Sequence, residues 1–165
     1  MAIDTANLLQ LTFVRAPAYF YIMQEIPRYS GCFVCGEKNE IGLKARFFWD
    51  GQKATCDLTA EKLYSGYKGI FHGGIVATLL DEIMIKALLA EKLLVVTAEM
   101  TVRYRRPVNC GDRLHLEGWK TGQSGVLFLT EGKAVNQKGE VVAEATGKYI
   151  KPKSELASRL LEAVE

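Results

Sequence analysis

A surplus of charge is what this chain most lacks: 21 Lys and Arg stand against 19 Asp and Glu in 165 residues, a formal net charge of only +2. Such a balance withholds the broad positive field with which a protein collects polyanions, so no nucleic-acid partner is expected and any anion site must be local. The stretch from Met1 to Met23 is apolar but lacks a basic leader, carries Asp4, and is broken by Arg15 and Pro17. That pattern fits neither a signal peptide nor a membrane span; a cytoplasmic protein with no membrane partner is expected. A second Cys-x-x-Cys is also missing. Cys32-Phe33-Val34-Cys35-Gly36 stands alone, whereas a structural zinc site takes four ligands, and Cys56, Cys110, His72 and His115 are scattered along the chain. The four cysteines therefore read as free thiols, with no metal and no cofactor expected.

Hydrophobic residues make up 48% of the chain, which at this length supports one domain with a real core. From Gly42 onward the pattern is that of strands. Leu43 to Trp49 and Lys53 to Leu58 flank the turn pair Asp50-Gly51, a hairpin signal. A loop rich in Tyr and Gly follows, Tyr64 to Gly69, and then Phe71-His72-Gly73-Gly74. After Gly74 neither proline nor glycine occurs until beyond Lys92, and the apolar residues run nearly all round, as in a helix covered on most sides. Four more strands are expected at Leu94–Tyr104, Arg113–Thr121, Val126–Asn136 and Glu140–Lys151, joined by short connections that favour antiparallel neighbours. Ser154 to Glu165 opens on a cap-like Ser and reads as a helix or tail. A hairpin, one long apolar helix and a four-strand meander make the class α+β, because such a helix needs a curved sheet around it.

The step from His72 to Asp81 carries the chemistry. Paired glycines at a helix start leave backbone N–H groups uncovered at the positive end of the dipole, a donor site for an oxygen bearing negative charge. A carboxylate well inside the same helix would complete the parts of an acyl-transfer site. Asp81 among Ala77, Leu80, Met84 and Ile85 is expected to be desolvated, with a raised pKa. A structural ion pair of Asp81 with Lys86 or an Arg is the alternative, and Glu82 is the rival acid.

This order of elements and motifs resembles the hotdog-fold thioesterases of the PaaI type. The resemblance runs from about Cys32 to Lys151 and rests on three segments: Asn39-Glu40-Ile41-Gly42-Leu43, Gly69 to Gly74 followed by Leu80-Asp81-Glu82, and Thr97 through Pro107. It implies a hotdog fold, a curved antiparallel sheet wrapped around one central helix, here over residues 31–152; the residues before it, with crowded aromatics and Pro17 and Pro27, read as an N-terminal extension at 1–30, helical or partly ordered, and 153–165 as a C-terminal helix or tail. It also implies hydrolysis of acyl-CoA in an assembly of at least two subunits. In that family the amide of the residue after the histidine, here Gly73, polarises the thioester carbonyl. The helix carboxylate, here Asp81, is general base or nucleophile, and a hydroxyl on the next strand, here Thr97, places the water. Several relatives carry Asn six residues before the histidine, where this chain has Gly66.

Spacing adds a constraint. Eight helical residues separate Gly73 from Asp81 by about 12 Å along the axis, too far for one carbonyl to touch both. A shared thioester then needs Asp81 from a second subunit, so a homodimer or dimer of dimers is expected. His72 reads equally as a supporting histidine and as a catalytic one, and Gly74 as a second substrate contact. Arg103, Arg105 and Arg106, with Lys148, Lys151 and Lys153, lie near the ends of late strands and are expected to hold the phosphates of coenzyme A. Two other readings of the same fold remain: a non-catalytic acyl-CoA sensor, and a hydratase or dehydratase using a His with a carboxylate.

Overall fold

The computed structural model describes residues 23–162. In chain order it contains β1 (Gln24–Glu25), β2 (Phe48–Trp49), β3 (Ala54–Thr59), one 3-10 turn (Lys62–Tyr64), the short pair β4 (Ser65–Tyr67) and β5 (Ile70–Phe71), α1 (Gly73–Ala90), β6 (Val96–Tyr104), β7 (Arg113–Ser124), β8 (Leu127–Asn136), β9 (Val141–Ile150) and α2 (Ser154–Leu161). Seven strands form one antiparallel sheet in the order β1-β2-β3-β7-β8-β9-β6, and α1 packs against β3, β6, β7, β8 and β9. The α+β class and the hotdog arrangement hold.

α1 is covered as its composition requires. Val76, Leu79, Leu80, Ile83, Met84, Ala87 and Leu88 are all buried in the single core. The sheet supplies the matching face by alternation, with Leu114 and Leu116 of β7, Phe128 and Ala134 of β8, and Ala143 and Ala145 of β9 turned inward. At Gly118 the helix comes closest: a Cβ there would lie 2.6 Å from the Ile83 carbonyl oxygen, so only glycine lets the backbones approach. The helix ends at Ala90, two residues before the expected Lys92, because Lys92 turns left-handed (φ 62) and Leu93 N–H closes back on Leu88 O at 3.0 Å.

Three expectations change. The first hairpin strand is only two residues long in the sheet, since Leu43 N–H and Ala45 N–H bond instead to the carbonyls of Phe33 and Val34. The four late strands are not a simple meander: β6 crosses over to pair with β9, and β7 pairs with β3 and β8. Short connections predict proximity, but β6 must leave an edge open for β7 to meet β3. The cap of α2 is Lys153 rather than Ser154, whose carbonyl accepts from Ser158 Oγ inside the helix.

Of the first thirty residues, those described join the body. Gln24 and Glu25 pair with Trp49 and Phe48, and Ile26 is buried. The aromatic run at 18–22 lies outside the described residues. No helix among them is long and apolar enough to cross a membrane.

Candidate active site

The α1 start is built by its own motif. His72 sits in extended backbone at the cap position, and its Nδ1 accepts the Gly74 N–H at 2.8 Å while its carbonyl receives Ile75 N–H and Val76 N–H. The loop is held from behind by His72 N–H on Tyr64 O and Phe71 N–H on Val108 O, both 2.9 Å. This capping sorts the two glycines. Gly74 spends its N–H on the imidazole, whereas Gly73, at the first helical position, points its N–H out of the turn where a helix offers no carbonyl. The Tyr104 hydroxyl donates to Gly73 O at 2.7 Å and fixes that peptide from the neighbouring strand.

Around this start lies an open cleft of about 810 Å³. Its walls include Tyr67, Ile70 and Phe71 from the β4–β5 hairpin, His72, Gly73 and Gly74 from the cap, and Tyr104, Arg105 and Arg106 after β6. Arg105 and Arg106 are therefore beside the predicted donor. Each already faces a carboxylate, Arg105 on Glu144 and Arg106 on Glu140 at 3.5 Å. The other basic residues go elsewhere. Arg103 lines a separate hollow with Trp119 and Glu131, Lys148 pairs with Glu99 at 3.0 Å, and Lys151 and Lys153 lie against α2. Arg103 is still inside β6, whereas Arg105 and Arg106 follow its last residue, Tyr104, and there the chain turns along the cleft.

Asp81 lies two turns inside α1, and its surroundings differ from those expected. It is half-buried, and its carboxylate is met by hydroxyls rather than by hydrocarbon. Thr97 Oγ1 lies 3.0 and 3.3 Å from the two carboxylate oxygens, and Tyr149 Oη donates to Oδ1 at 2.9 Å. These two hydroxyls are directly opposed in the β6–β9 ladder, which puts both on the sheet face that α1 covers. Tyr149 is fully buried, and burial followed by the Asp81 charge raises its phenol pKa well above the ordinary value, so it remains a proton donor. Sequence reasoning missed Tyr149, because only the β6–β9 pairing places it opposite Thr97. The ion pair of Asp81 with Lys86 does not form; Lys86 reaches Glu82 instead, 3.5 Å from Oε1.

Glu82 points about 100° away from Asp81 around the helix, into the core. It is 8% exposed and its pKa is raised, by burial first and by nearby Cys32 second. Cys32 and Cys35, expected as isolated thiols, converge on it: their sulfurs and a Glu82 oxygen all lie within 4.8 Å of one another. The Cys35 thiol, hydrogen-bonded to Cys32, holds the Cys32 thiol below its ordinary pKa. Cys56 is different, its pKa pushed up to about 12 chiefly by burial.

Residues 68–143 match the family model of the thioesterase superfamily. The chain is 29% identical over 100 residues to acyl-coenzyme A thioesterase 13 of Homo sapiens, covering 59% of this chain and 66% of that protein, just under two thirds of its length. Among solved structures it is similar to the E. coli PaaI protein from the phenylacetic acid degradation operon (TM-score 0.58, 24% identity, 60% of this chain and 76% of that one). It is similar also to a hypothetical thioesterase of Streptococcus pneumoniae TIGR4 solved with coenzyme A (TM-score 0.58, 23% identity, 60% and 80%). At such identities these two likenesses speak for the fold.

Proposed function

We propose that this chain, which matches the thioesterase superfamily model over residues 68–143, hydrolyses acyl-CoA thioesters to free acid and CoA at sites shared between two copies of itself. The observation that carries the reading is Asp81, a carboxylate two turns inside a helix and held by two hydroxyls from paired strands. Such support orients a carboxylate for chemistry rather than pairing off its charge. Gly73 N–H supplies the other half, a preorganised donor at the positive end of α1 for the oxyanion that develops as the thioester carbonyl is attacked.

The separation of about 12 Å along α1 keeps Gly73 and Asp81 of one chain from the same carbonyl. β6 supports the second copy: it is a nine-residue strand at the edge of the sheet among the described residues, mostly exposed, carrying Thr97 near one end and Tyr104 at the other. An open edge of that length is a natural place for another chain. Gly73 of one protomer then polarises the carbonyl, and Asp81 of its partner activates water or attacks directly. His72 acts through the loop it caps. Arg105 and Arg106 receive the phosphates of CoA in the same cleft. The hydratase reading has less support, because among the described residues no carboxylate pairs with His72.

The test is Asp81→Asn, assayed by thiol release over short, long and aromatic acyl-CoAs. Turnover should fall by about 10²- to 10⁴-fold, the range of a lost general base, with the oligomer intact in sedimentation. Undiminished hydrolysis would overturn the assignment, and saturable acyl-CoA binding by a wild-type protein that releases no thiol would favour the sensor. Oxygen-18 tracing through a single turnover separates attack by Asp81 from attack by water.

A further inference from the structure

The face of α1 turned away from Asp81 holds a cluster that thioester hydrolysis does not use. The chain from Tyr29 to Gly36 makes a tight turn, with Cys32 N–H on Tyr29 O at 2.9 Å and Gly36 N–H on Cys32 O at 3.0 Å. Inside it the backbone N–H groups of Val34 and Cys35 point at Cys32 Sγ, at 3.2 and 3.5 Å. Gly36 closes the turn because a Cβ there would lie 2.4 Å from the Ser30 carbonyl oxygen. The turn presents both sulfurs to Glu82, whose Oε2 is 4.0 Å from Cys32 Sγ. The other oxygen, Oε1, is buried without a hydrogen bond and has only the ion contact with Lys86 at 3.5 Å. A buried carboxylate left in that condition is costly unless something else satisfies the group.

We propose that Cys32 Sγ, Cys35 Sγ and the Glu82 carboxylate bind a divalent cation of the zinc class, with water in the fourth tetrahedral position. Tetrahedral zinc, with bonds of about 2.3 Å to sulfur and about 2.0–2.2 Å to oxygen, sets its ligand atoms roughly 3.5–3.8 Å apart. The three atoms here are within 4.8 Å of one another, so small side-chain rotations bring them onto one ion. The charges close as well. The cation takes the two sulfurs as thiolates, releasing any thiol protons to water, and the resulting three negative charges are balanced by the ion and by Lys86. Lys86 has no solvent access and lies where that balance needs a cation, its Nζ also donating to Pro27 O at 2.6 Å. The two N–H bonds to Cys32 Sγ orient and stabilise the thiolate ligand from the second shell. Such a site would clamp the turn at 32–35 to α1 across about fifty residues of chain, independently of the hydrolytic chemistry.

Cobalt(II) is the probe. Full-length protein stripped with a chelator and titrated with Co²⁺ should develop thiolate-to-cobalt charge-transfer absorption that saturates at one ion per chain and is displaced by Zn²⁺. Cys35→Ser should abolish the band. Glu82→Gln, which keeps the side-chain shape, should weaken Zn²⁺ binding at least tenfold against a chromogenic chelator, with circular dichroism unchanged. Zn²⁺ should also protect both wild-type thiols from alkylation, a readout that stands if Cys35→Ser does not fold. A wild-type protein without a saturable band, a band that survives in Cys35→Ser, or equal affinity in Glu82→Gln would overturn the proposal. So would a resting Cys32–Cys35 disulfide in protein purified without reductant.

Discussion

Asp81 and Glu82 are consecutive residues on one helix, yet they inhabit opposite chemistry. Asp81 is half-open and satisfied by the hydroxyls of Thr97 and Tyr149; Glu82 is buried beside an ammonium group and two thiols, with one oxygen left without a hydrogen bond. A rotation of about 100° along a helix is enough to separate them. The difference teaches that α1 serves two purposes: its start and its Asp81 face belong to the proposed hydrolysis, while the Glu82 and Lys86 face ties the segment before β2 to the core.

Substitutions can break that division. Asp81→Asn should show the largest effect, with the loss of turnover stated above and a melting temperature close to wild type, because Asn can still accept from both hydroxyls. A large fall in stability would mean that Asp81 holds the fold. Lys86→Met should do the reverse. It leaves Glu82 in the core without its cation, so chemical denaturation should report about 3–5 kcal/mol of lost stability. A variant as stable as wild type would show that Lys86 balances nothing.

Tyr149→Phe sharpens the catalytic side. It removes one hydrogen bond to the carboxylate and leaves the ring packed; at about 1.5–3 kcal/mol for a bond to a charged group, kcat should drop roughly 10- to 100-fold with KM little changed. The measurement is steady-state kinetics on the same acyl-CoA panel, and an equal rise in KM would assign Tyr149 to substrate binding. Gly118→Ala tests the seat that both faces share. A methyl group 2.6 Å from the Ile83 carbonyl must push the helix off the sheet, costing about 1–3 kcal/mol in thermal unfolding.

Much of this was legible in residue order. The apolar run after His72-Gly73-Gly74 predicts α1 to within a residue at its start, and the late strands fall close to their expected ranges, because periodicity and turn residues act over a few positions. The motif resemblance pointed to Gly73, Asp81 and Thr97, and the last two do meet in space. What residue order could not show is strand order. The pairing of β6 with β9 sets Tyr149 beside Thr97, and the same crossover leaves β6 as an edge. Nor does spacing link Cys32 to a glutamate fifty positions later.

By itself, then, the sequence determined the central helix, the four late strands, the fold class and the residues on which an acyl-transfer reading rests, since these depend on local spacing and residue type. Only the tertiary structure decided which of two adjacent carboxylates meets hydroxyls and which meets thiols, and which arginines share the cleft with Gly73. Those outcomes depend on which distant segments pack against each face of α1, and packing is set by the whole core at once rather than by any window of the chain.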